Sequence, residues 1–206
     1  MSTRLDLIPD ERLAALESAF QDRIRQIAAV IEPENFGSVC PPVLFELLRQ
    51  AFQVAGADEG SIWLLDPAKR NLVIAYNSGP NAATIVGFRQ PLNRGIVSTV
   101  MVSEQAFIEN EVYKNARHDG KLNESRAQTT FAMIVVPLYF LNECRGVISC
   151  VQLINARIQG REAIPEGKVP RGFGPNDMTA VQSAAEGARA LIDGSLFQAA
   201  TGWNLS

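Results

Sequence analysis

A chain of 206 residues with 47% hydrophobic and 20% charged residues has the apolar content of a packed soluble domain and too much of it for a disordered one. A formal net charge of −3 offers no broad cationic face for a phosphate backbone, which argues against nucleic-acid binding. No apolar run approaches the roughly 20 residues of a membrane span, and the N-terminus MSTRLDLIPDERL lacks a signal-peptide h-region.

The three cysteines, Cys40, Cys144 and Cys150, form no CxxC pair, and His118 is the single histidine. That inventory speaks against a disulfide framework, a thiolate zinc site and most catalytic triads. The expectation is a cytoplasmic protein with no metal site and no catalytic set.

Residues 9–31 predict an amphipathic helix. Leu13, Leu16, Phe20, Ile24, Ile27 and Ile31 recur at spacings of three and four. So narrow a stripe suits a helix–helix seam, either within the domain or between two copies in a homodimer. Pro33, Gly37, Pro41 and Pro42 then interrupt it. A second helix is expected over 43–54, closed by Gly56.

Runs 61–65 and 72–76, joined by turn chemistry at 66–71, predict an antiparallel hairpin. Residues 84–90 predict a third strand, 96–103 a short helix and 106–109 a fourth strand. The polar stretch 110–128 reads as a long loop or distorted helix, of the kind that often carries function. Residues 129–140 and 146–155 are the strongest strand signals, joined through 141–145. Their near-continuous apolar character places them centrally in a sheet covered on both faces. Residues 157–172 read as a mobile surface loop. Residues 175–199 read as a final helix with a small-sided stripe of Met178, Val181, Ala185, Ala188 and Ile192.

This order predicts an α+β domain with a central antiparallel sheet of about six strands, flanked by helices, and with its terminal helices packed together. The expected division is an N-terminal helix and linker (1–42), one domain (43–199) and a tail (200–206).

The segments SIWLLD (61–66), LVIAYNSG (72–79), FRQPLNRGIVSTVMVSEQAFI (88–108), FAMIVVPLYF (131–140), GVISCVQLIN (146–155) and FGPND (173–177) resemble, in order and spacing, the GAF family of sensory domains. The resemblance implies a GAF/PAS-like fold. It also implies a non-catalytic role in signal transduction, with a small-molecule ligand, homodimerisation through the terminal helices and an unidentified signalling protein as partner. A module that has lost its ligand and serves in dimerisation or docking is the alternative.

The cyclic-nucleotide-binding branch carries Asn-Lys, then Phe-x-x-x-Asp-Glu. Asn155, Phe173 and Asp177 match that pattern, while Ala156 and Met178 replace the Lys and Glu. The branch's Lys braces its Asp from behind the pocket; here Arg157 is the nearest substitute. Relatives place ligand contacts at the positions of Ser61, Thr130 and Gln152, and Ser78 stands where some carry a guanine-reading Asp.

Ile96 and Val97 open a helix whose free N–H groups suit an anionic ligand such as a cyclic phosphate, with Arg94 or Asn93 adding a donor. Asn93 alternatively caps the helix. Tyr113 and His118 fall in the expected lid. The buried amide of Gln152 needs partners, from a ligand or from backbone and water. Some relatives reduce free methionine sulfoxide through cysteines, but the required pair of an accessible thiolate and a resolving thiol is not visible in this sequence.

Overall fold

The computed structural model describes residues 11–115, 128–154 and 169–202, with residues 11–15 described by backbone only. In chain order the elements are α1 (Glu11–Ala29), α2 (Phe36–Val39), α3 (Pro42–Ala55), β1 (Glu59–Leu65), β2 (Asn71–Asn77), α4 (Ala82–Ile85) and β3 (Arg89–Pro91). There follow α5 (Ile96–Ser103), β4 (Phe107–Asn110), a 3-10 turn (Val112–Lys114), β5 (Thr129–Phe140), β6 (Glu143–Ile154) and a last helix, here α6 (Pro175–Thr201). The six strands form one antiparallel sheet in the order β3-β2-β1-β6-β5-β4. Among the described residues, no helix is long and apolar enough to cross a membrane.

Alternation along the strands divides the interior into two cores. Ile62, Leu64, Ile134, Val136, Ile148 and Cys150 face the side covered by α1, α3 and α6. Trp63, Leu72, Ile74, Val135 and Val147 face the other side, under Ile96, Val97, Val100 and Met101 of α5. A residue's parity within its strand therefore decides which core it joins.

The β5–β6 hairpin is tighter than the spacing predicts. Leu141 and Asn142 both have positive φ, 53° and 60°. This is the two-residue mirror-image turn whose twist matches flanking strands. Cys144 and Glu143 consequently pair with Tyr139 and Phe140 and do not belong to a loop.

Helix α3 ends at Gly56 in the left-handed conformation, φ 71°, as its sequence predicts. The terminal helices meet: Phe20 and Phe197 pack edge-on with ring centroids 5.6 Å apart. Val181, Ala185, Ala188 and Ile192 of α6 are buried and Met178 half-buried. At Gly187 the α3–α6 approach is so close that a Cβ would lie 2.7 Å from Leu47 Cδ2.

The strand expected over 84–90 is not formed as such. Ala82–Ile85 is a helical turn, and bonding to β2 is confined to the second half of the stretch, through Gly87 and Phe88 at Ile74 and through the short strand Arg89–Pro91. The β-branched run Thr84–Val86 looked strand-like, but Thr84 donates both its N–H and its hydroxyl to Asn81 O. Gly87, at φ 89°, then turns the chain onto β2, its N–H donating to Ile74 O at 2.8 Å. The local polar bonds of Asn81 and Thr84 outcompete ladder formation.

Candidate functional site

On the α5 side of the sheet, an apolar core surrounds a short polar row. Ser61 on β1 stands opposite Asn77 on β2 and Ser149 on β6. Asn77 donates from Nδ2 to Ser61 Oγ at 3.0 Å. Two residues along β1, on the same face, Trp63 donates its indole N–H to Ser149 Oγ at 2.9 Å. All four are buried, and their mutual bonds offset the cost of desolvating them. Thr130 lies on this face as well, beyond a bulge in β5 and opposite Leu153, and is buried.

Ile96 and Val97, in the first turn of α5, are buried. The helix begins at Gly95, φ 89°, with no side-chain cap, so Asn93 does not cap it. A Cβ at Gly95 would stand 2.2 Å from Gln90 Nε2, whose amide donates to Arg94 O and Ser98 Oγ, both at 3.1 Å. Gln90 thus holds the turn into α5 from below. Arg94 itself is exposed.

A groove of about 250 Å³ runs between α5 and the edge strand β4. Ile96, Val100 and Phe107 supply its apolar surface. Thr99, Ser103, Gln105 and Asn115 supply polar atoms. The Asn115 side chain donates to Glu109 Oε2, which fixes the end of the 3-10 turn to β4.

A second hollow, of about 290 Å³, lies beside the end of α1 and the β5–β6 turn, and two of its charged residues have partners there. Arg145 Nη2 meets Glu143 at 2.9 Å. Asp66 accepts from the Arg70 and Asn71 amides and from Asn71 Nδ2.

Of the eight residues expected at the ligand, only Ile96 lines the α5–β4 groove. Gln152 shares the parity of Ile148 and Cys150, so it points to the helical side, away from α5. Its Nε2 donates to Gly56 O at 3.0 Å and, more weakly, to Gly172 O at 3.5 Å, while its Oε1 accepts from Gly172 N–H at 3.0 Å. Backbone therefore satisfies this amide. Ser78 closes the end of the β1–β2 pair: Gly60 N–H donates to its Oγ, and its own N–H donates to Gly60 O, both at 2.9 Å. Tyr113 sits on the 3-10 turn, half-buried and stacked on Phe131 with centroids 6.3 Å apart. It packs with the helical-side core, not the α5 core.

The entry to α6 is the most heavily bonded loop. Phe173 is buried, and Asn110 at the end of β4 bonds both its backbone groups, accepting from N–H at 2.8 Å and donating to O at 3.1 Å. Asp177 accepts from Gly174 N–H at 2.8 Å and from both terminal nitrogens of Arg171, at 2.8 and 2.9 Å. Arg171 also donates to Ala55 O at 2.6 Å. Its guanidinium, followed by burial acting the other way and the Gly174 amide, leaves the Asp177 carboxyl below the usual carboxylate range. Arg171 therefore supplies the cation for Asp177. Asn155, Arg157 and His118 lie outside the described residues.

The three cysteines are free. Burial pushes Cys40 and Cys150 up to about 12 and Cys144 to about 11. None is a thiolate at neutral pH. Cys40, expected outside the domain, is part of the helical-side core. Among the described residues, no group of three His, Cys, Asp or Glu is placed to hold a metal ion.

An antiparallel sheet with a helical bundle on one face and the short helix α5 beside a groove on the other is the frame that holds these residues. The chain belongs to the GAF domain family, whose model matches residues 42–189. Solved structures share the fold. The GAF domain of a phosphoenolpyruvate-protein phosphotransferase from Coxiella burnetii has 14% identity and TM-score 0.59, over 94% of this chain and 99% of that one.

The GAF-B domain of DevS from Mycobacterium smegmatis has 17% identity and TM-score 0.52, over 76% and 91%. Free methionine-R-sulfoxide reductase from Neisseria meningitidis, solved with its substrate, has 17% identity and TM-score 0.53, over 96% and 99%. Identities this low establish the fold alone. A comparison with curated protein sequences finds no match.

Proposed function

We propose that this chain is a non-catalytic sensory or regulatory GAF module in signal transduction, and that it takes a small molecule in the groove between α5 and β4. The observation that carries this reading is the groove's lining: Ile96, Val100 and Phe107 offer an apolar wall, and Thr99, Ser103, Gln105 and Asn115 a few convergent polar atoms. That mixture is the usual makeup of a small-molecule site. A volume of about 250 Å³ suits a metabolite-sized ligand with an apolar body and one or two hydrogen-bonding groups.

Gln152 and Ser78 are committed to backbone on or beside the other face. The features that would favour a cyclic nucleotide therefore do not converge on this groove. Cys150, buried, and Cys144, half-buried, both have raised pKa values, which favours a binding role over sulfoxide reduction. The test is ligand-observed NMR against a panel of nucleotides, amino acids and small carboxylates. At least one compound is expected to bind wild-type protein and to be lost in Ser103→Phe, which fills the groove. Binding retained in that variant, or none across the panel, would refute the assignment.

The exposed apolar residues of the terminal helices favour a second reading, a homodimer seam. Leu16 is 61% exposed and Phe197, in contact with Phe20, 42%. Sedimentation equilibrium should then report a dimer that Leu16→Glu dissociates. A monomer at every concentration would dismiss it.

A further inference from the structure

The helical side and the groove side of this molecule are separated by the sheet, yet one residue at the sheet's edge joins the strand that walls the groove to the chain entering α6. Asn110 is the last residue of β4, the strand that carries Phe107 of the groove wall and Glu109, which accepts from Asn115. Its side-chain amide reaches across to the chain entering α6 and bonds Phe173 N–H and Phe173 O, 2.8 and 3.1 Å away, as a neighbouring strand would. The preceding residue, Gly172, is held in the same manner by the amide of Gln152. Gly172 adopts φ +77°, and a Cβ there would fall 2.8 Å from Asn110 Oδ1, so the approach requires glycine at this position. Beyond Phe173, the N–H of Gly174 is bonded to Asp177 in the first turn of α6, and Arg171 ties Asp177 to the end of α3.

We infer that Asn110 is a positioning residue that couples the groove to helix α6, passing displacement of β4 to the helix's first turn through Phe173. This rests on the reading of the groove as a ligand site and adds how its occupancy is transmitted. The mechanical case lies in unequal stiffness. β4 is a four-residue edge strand paired only with β5, so a shift of it disturbs few ladder bonds. The 171–174 segment, by contrast, is bonded from β4, β6, α3 and α6. A ligand that prefers one position of β4 then prefers one position of the α6 start, and the coupling is reciprocal.

The experiment needs no ligand. In the full chain, Ser103→Phe and Thr99→Phe each place a ring in the groove, and Phe107→Ala removes its wall. Hydrogen–deuterium exchange followed by mass spectrometry reads residues 107–110 and 171–181, each with and without Asn110→Ala, after circular dichroism has established that the variants fold. The ring-bearing variants are expected to change exchange at 171–181 about fivefold, Phe107→Ala to change it in the opposite direction, and Asn110→Ala to abolish all three responses. Responses that persist in Asn110→Ala overturn the coupling, as does a change at 107–110 with none at 171–181, or no change at either. A negative ligand panel with a positive exchange result would reject the sensor reading and leave the coupling standing. A bound ligand with no exchange response would reject the coupling alone.

Discussion

Arg171 grips Asp177 through both carboxylate oxygens, at 2.8 and 2.9 Å, from a position in the chain that no spacing rule pointed to. Asp177 is buried while Arg171 is about half exposed, so water screens the cation more than the anion. The carboxylate's folded pKa lies below its unfolded value, so its contribution to stability is complete above pH about 4 and falls away as pH drops through the folded value. Urea unfolding of wild type and Asp177→Asn should differ by about 2 kcal/mol at pH 7, with the gap closing near pH 2. A gap unchanged across that range would mean that the carboxylate's charge is irrelevant to α6.

Gln152→Leu should destabilise the fold by about 2–3 kcal/mol, because Gly172 N–H and Gly56 O lose a buried partner. It should leave ligand binding in the α5 groove unaltered. Equilibrium denaturation together with NMR titration of any binder separates the two. Lost binding at unchanged stability would place Gln152 at the ligand after all.

The Trp63–Ser149 bond makes a separate prediction. Ser149→Ala leaves a buried indole N–H without an acceptor and should cost about 1–3 kcal/mol. Ser149→Ala combined with Trp63→Phe should cost clearly less than the sum of the single changes, since both partners then depart together. Additive losses in a double-mutant cycle would show that the bond contributes nothing.

Gly146→Ala should be among the most damaging single substitutions. An added Cβ would stand 2.0 Å from the Trp63 carbonyl oxygen, a backbone atom with nowhere to retreat in the central β1–β6 pair. A loss of about 3 kcal/mol is expected by thermal melting. At Gly187 the obstacle is only the flexible end of Leu47, and helix propensity favours alanine by about 1 kcal/mol, so Gly187→Ala should be near neutral.

Cys150, fully buried with its pKa pushed up to about 12, should resist a thiol reagent at pH 8 in folded protein and react fully on addition of denaturant. Rapid native-state labelling at Cys150, located by peptide mapping, would contradict the placement of this strand.

Local signals made much of the fold readable. The 3.6-residue stripes at Leu44, Leu48 and Phe52 and at Val181, Ala185 and Ile192 marked helices that bury those side chains. Gly56 marked a helix end. Residues 84–86 failed because β-branching suggests a strand while Asn81 offers a competing local bond. The site was less legible, and Gln152 shows why. A buried amide in an apolar strand invites a ligand, but parity with Ile148 and Cys150 already assigned it to the other core. The same alternation would have selected Ser149 as Ser61's neighbour once the β1–β6 pairing was known. Arg171 and Asn110 carried no such signal: Arg171 bonds Ala55 and Asn110 bonds Phe173 across long stretches of sequence, and the Arg171–Asp177 pair matches no helical spacing.

The bipartite interior has a bearing on how such a chain diversifies. Substitutions under α5 repack against Trp63, Val135 and Val147, while those under α3 and α6 repack against Ile62, Ile134 and Ile148, and among the described residues no side chain belongs to both sets. Descendants are thereby free to retune recognition on one flank without renegotiating the bundle on the other. What the two flanks share is the Asn110–Phe173 contact at the sheet's rim, and there drift should be slowest.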